Sequence, residues 1–181
     1  MDDEYSYELK IPKERIAVLI GKNGDIKTEL ESQTKAKIDI DSKEGDIVIS
    51  GKDSIQLFVL KDIIKAVGRG FNPEIAMQLF KQDYVLELLN LADFVKSQDQ
   101  QLRLRGRVIG KGGKARSTIE EFTETAISVY GKTIAIIGFC DNVAISKKAV
   151  ESLLTGSPHA SVYKWLEKHR KQSKFNELTD F

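Results

Sequence analysis

The sequence predicts an α+β fold in which one unit, a three-stranded antiparallel sheet packed by three helices, occurs twice and is followed by a C-terminal helix. Three observations lead there. Ile20-Gly21-Lys22-Asn23-Gly24 returns as Ile109-Gly110-Lys111-Gly112-Gly113, an offset of 89 residues. At that same offset Leu30 answers Ile119, Glu31 answers Glu120, Thr34 answers Thr123 and Ile38 answers Ile127. Both copies also run from an alternating strand pattern through two short helical patterns into two strands and a longer helix. A repeat with a fixed internal register declares the architecture.

The first unit opens with Tyr5 to Ile11, whose polar/apolar alternation predicts a strand. Pro12 stops it and suits the start of a short helix from Lys13 to Leu19. After the Gly21–Gly24 turn a helix is predicted from Asp25 to about Thr34, with Ile26 and Leu30 four apart and Asp25 well placed near its N-terminus. Lys37 to Asp41 and Asp46 to Ser50 pair as a hairpin around Ser42-Lys43-Glu44-Gly45. A long helix from Ser54 to Val67 follows. It carries Ile55, Leu57, Phe58, Val59, Leu60, Ile63, Ile64 and Val67, too many apolar positions for one stripe, so cover on more than one side is expected. Asn72-Pro73 then reads as a cap and first-turn pair opening a connecting helix with Ile75, Ala76, Leu79 and Phe80 on one face. The connector has no flexible composition, so rigid docking of the two units is expected.

The second unit repeats the order. A strand is predicted from Tyr84 to Leu91, a helix ending near Val108, the Gly110–Gly113 turn and a helix from Lys114 to Phe122. Strands Ala126 to Tyr130 and Thr133 to Ile137 precede a helix from about Asn142 to Leu154. This hairpin is two residues tighter, since Ile47 answers Ile134 at offset 87. After Gly156-Ser157-Pro158 a last helix begins near Ser161, with Val162, Trp165, Leu166 and His169 on one face and Lys164, Lys168, Arg170, Lys171 and Lys174 around the rest. The preferred reading is a closing helix docked by Trp165 with its cations in water; an RNA-contacting arm is the second reading, and the two are compatible. The expected boundaries are residues 1–71 for the first domain, 72–83 for the connecting helix, 84–155 for the second domain, and 156–181 for the last helix and tail.

Composition narrows the function classes. With 41% hydrophobic residues the chain can bury a core, and no apolar run approaches the roughly 20 residues a membrane span needs. Met1-Asp2-Asp3-Glu4 is acidic and lacks the apolar stretch of a signal peptide, so a cytoplasmic, membrane-free protein is expected. The single cysteine, Cys140, excludes an internal disulfide framework and four-cysteine zinc sites, and no metal or cofactor is expected. Net charge is +1, and the isoelectric point of 7.7 is low for a nucleic-acid-binding domain, where values above about 9 are common. The average hides a segregation. Residues 101–118 hold Arg103, Arg105, Arg107, Lys111, Lys114 and Arg116 with no acid, a net of +6, whereas residues 10–27 set five cations against Glu14 and Asp25 for +3.

The glycine turns carry the chemistry. Glycine lets a main chain approach a phosphodiester closely, helix N-termini add partial positive charge, and Lys22 or Lys111 adds a full one. Unpaired bases can then be read beside the turn, which makes single-stranded RNA or DNA the natural ligand. The candidate RNA-binding residues are Arg103, Arg105, Arg107, Ile109, Gly110, Lys111, Gly112, Gly113, Lys114 and Arg116, with Ile127 and Val129 from the middle strand. Gly21, Lys22, Asn23, Gly24 and Lys27 form an accessory site. The first copy is expected to be weaker, because Asp39, Asp41 and Asp46 stand where the second has Ser128 and Tyr130, and acids near a phosphate groove are unhelpful.

Other readings of these glycines fail on context. Gly110-Lys111-Gly112-Gly113-Lys114-Ala115 formally fits a dinucleotide fingerprint, but the basic Arg103-Leu104-Arg105-Gly106-Arg107 precedes it instead of a buried strand, and no acid follows at the required distance. Ala115 stands where a P-loop needs Ser or Thr. A metal-dependent nuclease would use clustered carboxylates. Asp39, Asp41, Glu44 and Asp46 do cluster, but they read as the wet face and turn of a hairpin, so no enzyme is expected. A scaffold for protein partners would suit the apolar excess at Ile55–Val67 and the uninterrupted Ile47-Val48-Ile49 and Ile134-Ala135-Ile136-Ile137 runs; packing between the two units is the preferred explanation of those runs.

Strand, helix, GxxG, helix, strand, strand, helix resembles the type I KH domain, and does so twice. That resemblance implies that about four nucleotides lie in a groove between the turn-flanking helices and the middle strand. The tandem further resembles one family, the KH-domain small-subunit ribosome assembly factors, archaeal relatives of the eukaryotic partner of the endonuclease Nob-one. The likeness rests on Gly106-Arg107-Val108-Ile109-Gly110-Lys111-Gly112-Gly113-Lys114. It extends to the cations Lys27 and Arg116 three residues past each last glycine, to Gly70-Phe71, Ala76, Leu79 and Asp83, and to Gly156, Pro158, Val162 and Tyr163. It implies binding to single-stranded small-subunit rRNA near its 3′ end, beside the rRNA-trimming endonuclease and other small-subunit factors, by a monomer of archaeal type. The first unit departs from eukaryotic members by keeping a full Gly21-Lys22-Asn23-Gly24.

Overall fold

In the computed structural model, residues 4–179 are described, with side chains as far as Gln172. Met1–Asp3 and the Lys174 side chain lie outside the described residues. The chain divides into two compact units, Met1–Gln82 and Asp83–Phe181.

In the first unit β1 (Tyr5–Lys10) leads through α1 (Lys13–Ile20) and α2 (Asp25–Thr34) to β2 (Lys37–Asp41), β3 (Asp46–Gly51) and α3 (Ser54–Gly68). The strands form one antiparallel sheet in the order β1-β3-β2, the order expected when the hairpin partner becomes the centre. Alternation assigns the faces: Leu9, Ile40 and Ile47 stand in one row and Tyr7, Ile38 and Ile49 in the next. Ile38, Ile47 and Ile49 are fully buried, while Val48, pointing the other way between Glu8 and Asp39, is exposed. Asp53 starts α3 by accepting from the Ile55 and Gln56 N–H groups at 2.9 and 3.1 Å.

Two expectations about this unit need correction. Leu57, Leu60, Ile63, Ile64 and Val67 of α3 are buried, but Ile55 is 73% and Phe58 52% exposed, so the N-terminal half of α3 is covered on one side only. The connector is α4 (Pro73–Ala76) continued by a 3-10 turn over Met77–Phe80, and Asn72 makes no side-chain capping bond. Pro73 alone, with its fixed φ, starts it.

The second unit contains β4 (Tyr84–Asn90), a 3-10 turn over Leu91–Asp93 that the sequence pattern did not reveal, α5 (Gln98–Ile109), α6 (Lys114–Thr123), β5 (Ala126–Tyr130), β6 (Thr133–Phe139), α7 (Cys140–Leu154) and α8 (His159–Thr179). Its antiparallel sheet has the order β4-β6-β5. Leu89, Ile127, Ile134 and Ile136 from the sheet pack with Leu104, Val108, Ile119, Val150 and Leu153 from the helices. Helix α8 closes this core with Val162 and Leu166, 4% and 1% exposed. Trp165, the expected anchor, is only partly buried and has the Lys148 ammonium 5.3 Å from its ring centroid.

Each unit ties the helix before its glycine turn to the end of its long helix through an arginine. Arg15 donates from Nε to the Val67 carbonyl at 2.8 Å and from Nη2 to Phe71 at 2.6 Å. Arg107 donates to Leu153 at 2.9 Å and to Ser157 at 2.6 Å. The two are not repeat equivalents: Arg15 lies six residues before Gly21 and Arg107 three before Gly110. A shift of about one helical turn leaves both on the same side of their helices, so both reach the same kind of target.

Candidate nucleic-acid interface

Both glycine turns adopt the same conformation. Gly21 and Gly110 have φ of 77° and 73°, and Gly24 and Gly113 of 82° and 79°. At Gly110 no other residue fits, since a Cβ would lie 2.6 Å from the Ala115 Cβ in addition to the unfavourable φ. The third position differs. Gly112 has φ 60° with open space around it, and its counterpart Asn23 sits at φ 57°, a conformation asparagine tolerates. Lys111 and Lys114 are exposed and have no acidic partner among the described residues, so their full charge faces solvent at the turn.

Helix α5 sorts the predicted arginines onto different faces. With about 100° per residue, Leu102, Gly106 and Ile109 share the stripe that runs into the turn. Leu102 is 64% exposed and Gly106 has nothing within 4 Å of a Cβ position. Arg103 and Arg107 lie on another side, where with Gln100, Thr155 and Gly156 they line a cavity of about 270 Å³ against the end of α7. Arg107 is a clamp on main-chain carbonyls, and its own carbonyl oxygen is 2.7 Å from the His159 Nε2. Arg105 falls between the stripe and the core, and its Nε is buried without a hydrogen-bond partner.

The opposite wall is β5. The Ile127 side chain, 3% exposed, belongs to the core, and Val129 packs against that core from its margin. At Ile127 the wall therefore presents main chain. β5 is an edge strand, and the Ile127 N–H is donated to Glu120 Oε1 of α6 at 2.7 Å. Arg116 stands beside it, its Nε 3.9 Å from Glu120 Oε2. The site thus brings together Ile109, the Gly110–Gly113 turn, Lys111, Lys114, Arg116 and the Ile127 main chain. Leu102, Gly106 and Glu120 join it unforeseen. The i, i+4, i+7 spacing of Leu102, Gly106 and Ile109 was the available signal for the first two, and the repeat of Glu31 as Glu120 for the third.

The first unit has the same plan with weaker chemistry. Ala17 replaces Gly106 on the matching stripe, and Lys13 has Glu44 at 3.9 Å. Lys10 pairs with Asp46 at 3.0 Å and Lys37 with Asp39 at 2.8 Å, and these carboxylates hold both lysine pKa values above the usual range. Asp39, Asp41 and Asp46 lie on the sheet face turned away from the core, and Asp41 accepts from the Lys43 N–H in the hairpin turn. No group of three or more His, Cys, Asp or Glu among the described residues could hold a metal ion. No helix among them is long and apolar enough to cross a membrane.

Comparisons with known proteins agree on the plan. The family described as eukaryotic type KH-domain, KH-domain type I, matches residues 85–171, and the KH domain family matches residues 6–65. A KH domain-containing protein of Methanocaldococcus jannaschii is 47% identical over 170 residues, covering 92% of this chain and 74% of that protein. The pre-rRNA-processing protein pno1 of Schizosaccharomyces pombe is 35% identical over 104 residues, 56% of this chain and 43% of its own. A chain in the crystal structure of the a/eIF2alpha-aDim2p-rRNA complex from Pyrococcus horikoshii OT3 is 45% identical with a TM-score of 0.87, covering 93% of this chain and 96% of that one.

Proposed function

The chain belongs to the KH-domain family that includes the PNO1 pre-rRNA-processing proteins, and from that premise we propose that it binds single-stranded rRNA of the small ribosomal subunit, near the 3′ end, during maturation of that subunit. The second unit is the principal site and the first an accessory one. The observation that carries this reading is the difference in charge around two otherwise equal turns. Lys22 and Lys111 are both exposed with no acidic partner among the described residues, but Lys114 follows the second turn where Asp25 follows the first, and Lys10, Lys13 and Lys37 of the first unit are each matched by a carboxylate. Binding to the sugar–phosphate chain depends on such unmatched cations, while the bases meet the β5 edge and the Leu102–Ile109 stripe.

The protein acts by binding and positioning rather than by catalysis. Protein partners belong to the same setting: the Pyrococcus relative is seen in a complex with a/eIF2alpha and rRNA, and the rRNA-trimming endonuclease is the expected neighbour on the precursor. Fluorescence anisotropy with a labelled single strand copying the 3′ region of small-subunit rRNA tests the reading. Binding that is tighter than to the same sequence as a duplex, and that weakens steeply with salt, is expected. No binding to the single strand even in dilute buffer overturns it.

A further inference from the structure

The groove of the second unit has an electrostatic lining that its basic rim conceals. Glu120 reaches from α6 to the edge strand, where Oε1 takes the Ile127 N–H at 2.7 Å, and its side chain remains 27% exposed. In an antiparallel strand the N–H and C=O of one residue point the same way. The Ile127 carbonyl therefore also faces outward from β6, unused by the sheet. At this point the strand edge and Glu120 themselves offer acceptors only, the remaining lone pairs of the carboxylate and the Ile127 carbonyl, and the nearest side-chain donor is the Arg116 guanidinium on the Oε2 side. The strand's one natural donor here, the Ile127 N–H, is already occupied. Arg116, with Nε 3.9 Å from Oε2, compensates the charge without closing the carboxylate off as a bidentate pair would.

We propose that Glu120 is a specificity-determining residue that selects, at the nucleotide facing Ile127, a base bearing an exocyclic amino group and rejects uracil. An unpaired base presents its Watson–Crick edge to the protein. Adenine and cytosine offer an amino group there, and guanine offers an amino and an imino N–H side by side. All can donate to a carboxylate. Uracil offers a single imino N–H between two carbonyl oxygens, which are repelled by the Glu120 carboxylate and the Ile127 carbonyl. The inference rests on the RNA-binding reading and adds to it which bases the groove admits.

Anisotropy titrations with cytosine-only, adenine-only and uracil-only decamers test it, on the whole protein and on Glu120→Gln. Glutamine keeps an oxygen for the Ile127 N–H and brings an amide donor that a uracil carbonyl can accept. The unaltered protein is expected to bind the cytosine and adenine strands about tenfold more tightly than the uracil strand. Glu120→Gln, checked for an unchanged thermal melt, is expected to gain affinity for uracil and bring the ratio within about threefold. Glu31→Gln, which alters the equivalent bond of the first unit, is expected to leave the ratio alone. Equal affinity of the unaltered protein for the three strands, an unchanged ratio in Glu120→Gln, or a ratio moved by Glu31→Gln instead, overturns the assignment to Glu120 while RNA binding stands. Failure to bind any of them while the rRNA 3′ strand is bound overturns the assignment alone, and failure to bind that strand as well overturns both.

Discussion

Glu120 accepts the main-chain N–H of Ile127 at 2.7 Å, and Glu31 accepts that of Ile38 at 2.8 Å. Both pairs lie at the repeat offset, and both join the helix after a glycine turn to the edge strand opposite. An edge strand leaves every second N–H without a sheet partner. Here a helix supplies the acceptor, so the bond that satisfies the strand also sets the distance between the two walls of the groove. Glu120→Ala leaves that N–H unmatched and is expected to lower the unfolding free energy by about 1.5–3 kcal/mol, the usual scale for a hydrogen bond to a charged group. Urea denaturation followed by circular dichroism measures it, and a loss under about 0.5 kcal/mol, the size of an ordinary surface change, shows that the bond does not hold the wall.

The turns themselves can be altered with little effect on folding. Gly112 has open space and φ 60°, and Asn23 shows that a side chain is accepted at this conformation. Lys111→Asp with Gly112→Asp therefore costs about 1 kcal/mol of stability, but it replaces a cation with two anions at the proposed phosphate contact. Affinity for a single-stranded RNA is expected to fall at least a hundredfold. Lys22→Asp with Asn23→Asp in the first unit is expected to weaken binding less than tenfold. Anisotropy ranks the two, and the reverse ranking makes the first unit the principal site.

The repeat made most of this legible. Asp25–Thr34, Lys37–Asp41 and Ala126–Tyr130 fall where the periodicity puts them, because each pattern is bounded by a glycine or a turn that leaves no room to slide. The Leu91–Asp93 turn escaped because three residues show no period, and its Asn90 cap to the Ala92 N–H at 3.1 Å resembles any loop asparagine. The arginines were harder still. Charge counting cannot tell Arg107, which grips carbonyls of residues 153 and 157, from Lys111, which has no acidic partner among the described residues. Only the partners distant in sequence decide, because the unsatisfied carbonyls of a helix end are also acceptors for a guanidinium. Likewise the repeat places Ile127 on the strand beside the turn, but only its burial shows that its main chain is the part left facing outward.

Arg107 tests that distinction. Its two bonds, from Nε at 2.9 Å and Nη2 at 2.6 Å, need the fork of a guanidinium. Lysine offers one compact ammonium instead, so Arg107→Lys keeps the charge and loses the geometry. A loss of about 1–3 kcal/mol in stability is expected, with RNA affinity and its salt dependence within about twofold of the unaltered protein. Lys111→Ala is expected to behave oppositely, with stability unchanged and a salt slope shallower by roughly 0.7, the contribution of one single-strand phosphate contact. A slope that drops in Arg107→Lys while stability holds identifies Arg107 as an RNA contact.

Asp62 of α3 gives a pH dependence of definite sign. Burial pushes its pKa above the usual carboxylate value of 3.8, and the nearby Lys65 and Lys61 ammonium groups only partly offset that. A carboxyl group with a raised folded-state pKa favours the fold in its protonated form. Its stabilising contribution is complete below about pH 3.8 and is lost as pH rises through the folded-state value. At neutral pH the fold carries a partly desolvated charge that an amide of the same shape does not. Asp62→Asn is therefore expected to be more stable than the unaltered protein at pH 7 and equal to it near pH 3, with the difference appearing as the carboxyl ionises. Thermal melts of both proteins across that range check it. A variant less stable at pH 7 means that the attraction of Lys61 and Lys65 outweighs desolvation, and the sign of the Asp62 contribution is then reversed.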